Sequence, residues 1–265
     1  MSSDDKKISG NGTPDRSPEW RRARRNVMAG AGAFAAALLV AGKSASAHGR
    51  RRGGHGGHHC FLAGTPILTP SGEVDVASLQ PGDLVITKSD VAKRIVGIGR
   101  RTVTVEAGRS IDREDRPVCI KRGAIDDMTP SADLYVSRNH ALLIDDMLVS
   151  AASLVNGRTI INADMSDRAS FEYVHIELAA HDVVMAAGTA AETLRVESQS
   201  REGFDTFDTE DTQAPVATLV SIAPLVGHNR HRDVLRSRLR SALSPIVDRR
   251  TPLDKLRDRL EDRAA

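Results

Sequence analysis

Cys60 sits where a glycine–histidine tract meets the first strand-like run, in "HGGHHCFLAGTPILT", residues 55–69. A cysteine in this position has three chemistries open to it. It can ligate a metal with the neighbouring histidines, pair with Cys119, or attack the carbonyl of His59 in front of it. The attack passes through a five-membered ring, so it gains the proximity that makes intramolecular steps fast. A thiol of ordinary pKa, about 8.5, needs help to ionise. The departing nitrogen needs a proton, which an imidazole of unperturbed pKa about 6.5 can deliver. "YVSRNHALLI" supplies both helpers, a hydroxyl at Ser137 and an imidazole three residues on at His140. His181 in "AAHDVV" divides evenly between a supporting catalytic role and a structural one, and His175, mid-strand in "YVHIEL", reads as structural.

The other two chemistries carry less weight. His55, His58 and His59 are good ligands for zinc, copper or nickel. A flexible tract gives them no rigid frame, so binding there is adventitious. Zinc held by the Cys60 thiolate and these histidines would inhibit the nucleophile, and no cofactor is required. Two cysteines cannot build a disulfide framework, and Cys119 in "PVCIK" looks like a small core residue.

Several kinds of segment must position these groups. The chain has 265 residues, enough for one large domain or two small ones. Hydrophobic residues make up 40%, sufficient for a core. Lys+Arg 37 against Asp+Glu 35 leaves a charge of +2, so the chain is not broadly basic. The arginines clustered near both ends read as solvated, and no nucleic-acid partner is expected.

Residues 1–47 read as a targeting segment. A polar, disordered stretch leads to Arg21, Arg22, Arg24 and Arg25, then an apolar run from Val27 to Gly42, then Ala45-Ser46-Ala47 as a cleavage site. The run is shorter than the ~20 residues of a spanning helix. "ARRNVM" resembles a twin-arginine signal. The expectation is an exported, periplasmic or extracellular protein that meets a membrane only through its signal. The alternative is a tether formed by an uncleaved signal. Residues 48–59 are a Gly/His/Arg linker.

Residues 60–197 carry short strand patterns at regular spacing, without the helical stretches of a βαβ layout, and predict an all-β domain. Asp145-Asp146 looks like a hairpin turn, and Gly97 and Gly99 suggest a bulge or bend in a long strand. Residues 198–215 are polar and acidic and read as a linker or long loop. In 216–265, Leu235, Leu239 and Leu243, and again Leu253, Leu256 and Leu260, recur at helical spacing. They predict two amphipathic helices that pack within the chain.

"CFLAGTPILTPSGEVDVASLQPGDLVIT" resembles the opening motif of the Hint superfamily, the autoprocessing domains of hedgehog proteins and inteins. Cys60 starts the domain; Gly64-Thr65, a strand, the Gly72 turn, a second strand and Gly82-Asp83 follow. Ser137 and His140 match the family's second motif, with serine where threonine is commoner. "YVHIELAAHDVVMAAG" is similar to the strand pair near the domain's end, with His175 and His181 as its polar candidates. The resemblance runs from Cys60 to about Leu194. It implies an all-β, horseshoe-like Hint-type fold, here with a disordered N-terminus and short C-terminal helices. It also implies self-cleavage of the His59–Cys60 bond through an N-to-S acyl shift, with Cys60, Ser137, His140 and His181 as catalytic residues. The substrate is the chain's own N-terminal segment, and water or a small nucleophile opens the thioester. Full splicing is not implied, because His228-Asn229 is followed by Arg230, which cannot accept an acyl group. The alternative is an inactive Hint-like β-module used for binding or secretion.

Overall fold

Short apolar runs punctuated by Gly, Pro and Asp favour strands over helices, and the chain folds accordingly. The computed structural model describes residues 59–193, 201, 203–209, 223, 225–226, 231–244 and 248–265. The expected signal, His55, His58 and the His228-Asn229 pair lie outside the described residues.

The domain opens with β1 (Phe61–Leu62), β2 (Pro66–Thr69), β3 (Gly72–Asp75) and β4 (Leu84–Ile86). The long β5 (Ala92–Thr104) follows, then β6 (Val118–Ile120), β7 (Leu134–Val136), β8 (Ala141–Ile144) and β9 (Met147–Ser150). One helical turn, α1 (Ala151–Leu154), precedes β10 (Ile160–Asn162), β11 (Ser170–Leu178), β12 (Val183–Ala186) and β13 (Thr189–Glu192). Beyond these lie β14 (Thr206–Thr209), β15 (Leu225–Val226), α2 (His231–Leu243) and α3 (Pro252–Arg263).

The strands form two sheets. The first runs β10-β6-β7-β1-β11-β5-β14, with β4 also pairing β5. The second runs β15-β9-β8-β13-β12-β2-β3. The all-β class expected from the sequence is the class observed. The β8–β9 hairpin turns at Asp145-Asp146, both at positive φ, 49° and 58°. That is the conformation a two-residue hairpin loop requires.

Gly97 and Gly99 do mark an irregular strand. Glu177 faces Gly97 while Leu178 faces Ile95, so Val96 is bulged out of the β5–β11 ladder. The glycines have a second reason. A Cβ on Gly97 would lie 2.8 Å from the Phe207 ring, and one on Gly99 would lie 2.9 Å from the Phe204 ring.

Those two rings correct the reading of residues 198–215 as a linker or loop. Thr206–Thr209 is a strand that extends the first sheet along β5. Arg201 closes the same corner, donating to the buried Glu177 carboxylate at 3.0 and 2.7 Å while stacking over Phe207.

The C-terminal helices form at the expected places, but one packs by another face. In α3, Leu256 and Leu260 join the main core, where burial of each stabilises by roughly 2 kcal/mol. Thr251 before Pro252 and Asp254 after it close a reciprocal capping box at the helix start. In α2, Leu235 and Leu239 are 62% and 61% exposed, against the expectation that they pack within the chain. The contact face of α2 is polar instead. Ser237 Oγ donates to Asp254, and Arg240 Nε donates to the same carboxylate at 2.6 Å. The helical period is right; the docking interaction is ionic.

Candidate active site

Cys60 is fixed by its immediate neighbour. Phe61 pairs with Val174 of β11 on one side and Val136 of β7 on the other. Ser137 follows β7 directly, and its amide N–H donates to the Cys60 carbonyl at 2.9 Å. Its hydroxyl oxygen accepts the Cys60 N–H, also at 2.9 Å. On the other side of the same peptide bond, His175 Nδ1 contacts the His59 carbonyl oxygen. The His59–Cys60 amide is therefore held at both ends, its N–H by Ser137 and its oxygen by His175.

His140 closes a tight turn, donating its amide N–H to the Ser137 carbonyl at 3.1 Å. The ring is fully buried and lies against Phe61, centroid to centroid 4.4 Å. Neither ring nitrogen has a hydrogen-bond partner among the described residues. Burial disfavours the imidazolium and pushes its pKa down to about 4; the Glu192 charge works against that shift, and His59 adds to it. His140 is neutral at physiological pH.

Burial also dominates at the nucleophile. The Cys60 thiol is pushed up to about 12, with Arg101 pulling weakly the other way. At rest the group is a thiol, so attack requires proton removal within the site. Both cysteines are free, which sets aside the Cys60–Cys119 disulfide.

The second sheet contributes a buried carboxylate that nothing in the sequence singled out. Glu192, at the end of β13, is completely enclosed. Its Oε1 accepts the Ala141 N–H at 2.8 Å and lies 2.8 Å from His59 Nδ1. Its Oε2 lies 3.4 Å from His181 Nε2. Burial alone would raise this carboxyl's pKa. The hydrogen bonds from His181 and His59, with the charge of His59, outweigh it and hold the group far below the usual carboxylate range. His59, weighed above as a metal ligand, is here a carboxylate partner.

Of the residues expected to act, Cys60, Ser137 and His140 come together around one peptide bond. His181 joins them through Glu192. His175, read as structural, touches the carbonyl oxygen. The signal that could have found Glu192 is a lone acid in the small-residue strand "TAAE", where nothing else is charged. The arrangement combines a buried thiol, an amide gripped at both ends, a neutral imidazole and an ionised carboxylate. That set is suited to acyl transfer from nitrogen to sulfur.

A family model described as Hint domain matches residues 59–198. No curated protein matches the chain. Among solved structures, the bacterial intein-like domain from Clostridium thermocellum is 16% identical, over 51% of this chain and 98% of that one, with a TM-score of 0.37. The MchDnaB-1 intein is 17% identical, over 51% of this chain and 99% of that one, with a TM-score of 0.33. The Msm DnaB1 intein splicing domain, solved bound with zinc, is 15% identical, over 51% of this chain and 99% of that one, with a TM-score of 0.35.

Proposed function

The chain belongs to the Hint domain family, a family of autoprocessing domains, and on that premise we propose that it cleaves its own His59–Cys60 bond through a thioester. The observation that carries this reading is the double grip on that amide, by Ser137 on the nitrogen side and His175 on the oxygen side. Cys60 Sγ forms a bond to the His59 carbonyl carbon while its thiol proton passes to His140. The C–N bond then breaks, and His140 returns the proton to the Cys60 nitrogen. The products are a His59 acyl thioester on Cys60 Sγ and a free Cys60 α-amine, with no net gain or loss of protons. Water or a small nucleophile displaces the sulfur, and its proton restores the thiol.

The other groups have supporting roles in this scheme. His175, in the tautomer that carries hydrogen on Nδ1, donates to the oxygen as negative charge develops on it. Glu192, held by His181 and the Ala141 amide, keeps the His59 side chain in place on the acyl side. Export of the protein by a twin-arginine route is part of the same proposal, supported by Arg24-Arg25 and the apolar run behind them.

The test is an intact-mass measurement on the full chain incubated with dithiothreitol or hydroxylamine. The expected products are a fragment beginning at Cys60 and a complementary N-terminal piece. Cys60→Ala abolishes the reaction and Cys119→Ala preserves it. A wild-type chain that stays whole would favour the inactive β-module, and cleavage of Cys60→Ala at the wild-type rate would remove Cys60 from the mechanism.

A further inference from the structure

Behind the Ser137–His140 turn lies a cavity of about 540 Å³, closed on its far side by α2 and α3. Five guanidinium groups line it, from Arg113, Arg116, Arg138, Arg238 and Arg257. Two carboxylates, Asp258 and Glu261, are the acidic residues in the wall. Asp258 is already engaged by Arg250 at 3.1 Å, so it does not offset the cluster.

Arg138 is the residue that points to a ligand. It is only 6% exposed, and its guanidinium donates to the Asn162 side-chain oxygen. No carboxylate lies within ion-pair distance of it among the described residues. Enclosing a cation without a counter-charge is costly, and structures that do so ordinarily supply one. Burial makes its protonated form harder to hold, and the positive charges of Arg113 and Arg116 add to this while the Glu114 carboxylate works against it. Its hydrogen-bond partner is a neutral amide, and of the residues lining the cavity Arg113 and Arg116 repel it.

We propose that this cavity binds a small phosphate-bearing anion, whose oxygens are received by Arg138 at the base and by Arg113, Arg116 and Arg238 around the mouth. Planar guanidinium forks match phosphate oxygens in pairs, and arginines converging from separate elements are the arrangement that recognises a multiply charged oxyanion. The volume falls within the ~300–1,000 Å³ typical of small-molecule sites.

The cavity is linked to the active-site turn through Arg138. Arg138 is the residue after Ser137, and its carbonyl accepts the Ala152 N–H of α1 at 2.9 Å. The His140 carbonyl accepts the Ala151 N–H at the same distance. A counter-ion on Arg138 relieves the buried charge in the very turn that positions Ser137 and His140. Binding stands on its own; its influence on cleavage rate rests on the function proposed above.

The experiment uses the full chain with inorganic pyrophosphate as the probe, followed by calorimetry and thermal melting at constant ionic strength. The expected result is saturable one-to-one binding with a raised melting temperature. The double variant Arg113→Gln/Arg238→Gln, at two exposed positions, should bind about tenfold more weakly or worse while melting normally without ligand. Citrate, which offers carboxylates in place of phosphates, should bind more weakly than pyrophosphate. Unsaturable binding, equal affinity in the double variant, or citrate binding as tightly would each overturn the proposal. None of these readouts depends on cleavage, so failure here and failure of the cleavage reading are distinguishable.

Discussion

His59 Nδ1 lies 2.8 Å from Glu192 Oε1, so the residue on the acyl side of the bond proposed to break is itself part of the site. Glu192 is enclosed, and a buried carboxylate that loses a partner is strongly destabilised. The side chain before Cys60 is therefore held as firmly as the groups after it.

The first expectation follows from that contact. His59→Ala should slow cleavage by about tenfold, because the acyl carbon loses its positioning while the nucleophile is untouched. His59→Gln, which keeps a donor, should recover part of the rate. First-order rate constants from intact mass decide it. Equal rates in all three proteins would make His59 a bystander.

The two ends of the amide should respond differently. His175→Ala removes a donor to the developing oxyanion and should cost about 100- to 1,000-fold in rate. Ser137→Ala leaves the buried Cys60 N–H unpaired, a loss of about 1–3 kcal/mol, whereas Ser137→Thr keeps the acceptor and should be tolerated. A matched set of melting curves separates rate losses from unfolding. If His175→Ala cleaves normally, the contact with the His59 carbonyl is structural.

The pH dependence has a definite sign. His140 is pushed down to about 4 and the Cys60 thiol up to about 12. The reactive proton count is one across this pair, whether it is written as thiol with neutral imidazole or thiolate with imidazolium. Between the two values that form dominates, so the rate should be flat from pH 6 to 9. It should fall as pH drops toward about 4, where His140 gains a second proton for the pair. His140→Ala should lose about 100- to 10,000-fold on the plateau. A tenfold rise per pH unit through this range in the wild type would show that the thiolate reacts without the relay.

Residues close in the chain were legible from the sequence; residues joined only by folding were not. Ser137 and His140 are three apart, and the turn that brings them together is local, so their pairing is written in the spacing. Glu192 reaches them because β13 pairs β8, with Ala191 opposite Leu142. No short-range pattern encodes that pairing. His175 shows the limit of periodicity, which assigns a residue to a strand but not to what lies across from it. β14 escaped for the same reason, since the apolar seat for Phe204 and Phe207 is made by Gly97 and Gly99, about a hundred residues earlier. In α2 the leucine spacing gave the element correctly, yet Ser237 and Arg240 decided which face meets α3.

A stability expectation comes from that added strand. Arg201 is 32% exposed and spans the buried Glu177 with two donors. Arg201→Ala should destabilise by about 2–3 kcal/mol, somewhat less than for a fully enclosed pair because solvent reaches the guanidinium. Glu177→Gln in the same background should restore much of the loss by removing the stranded charge. Urea unfolding of the two variants is the measurement, and a change below about 0.5 kcal/mol for Arg201→Ala would show that the corner contributes little.

The two sheets divide the site between them. His175 lies in the sheet containing β1, β7 and β11, whose strands Cys60 and Ser137 flank, while Glu192 lies in the one containing β8, β12 and β13, whose strands His140 and His181 flank. The His59–Cys60 bond is held beside one slab and the imidazole proposed to carry its proton beside the other. On the proposed mechanism, cleavage would therefore depend on a mechanical coordinate, the offset of the slabs. Only Arg138 and Asn139 link Ser137 to His140, a tether of roughly 10 Å at full stretch. That tether limits how far the slabs can part at this seam. A relative shift of about an ångström would carry the imidazole out of line with the amide, and the hydrogen bond from the His140 N–H to the Ser137 carbonyl opposes it.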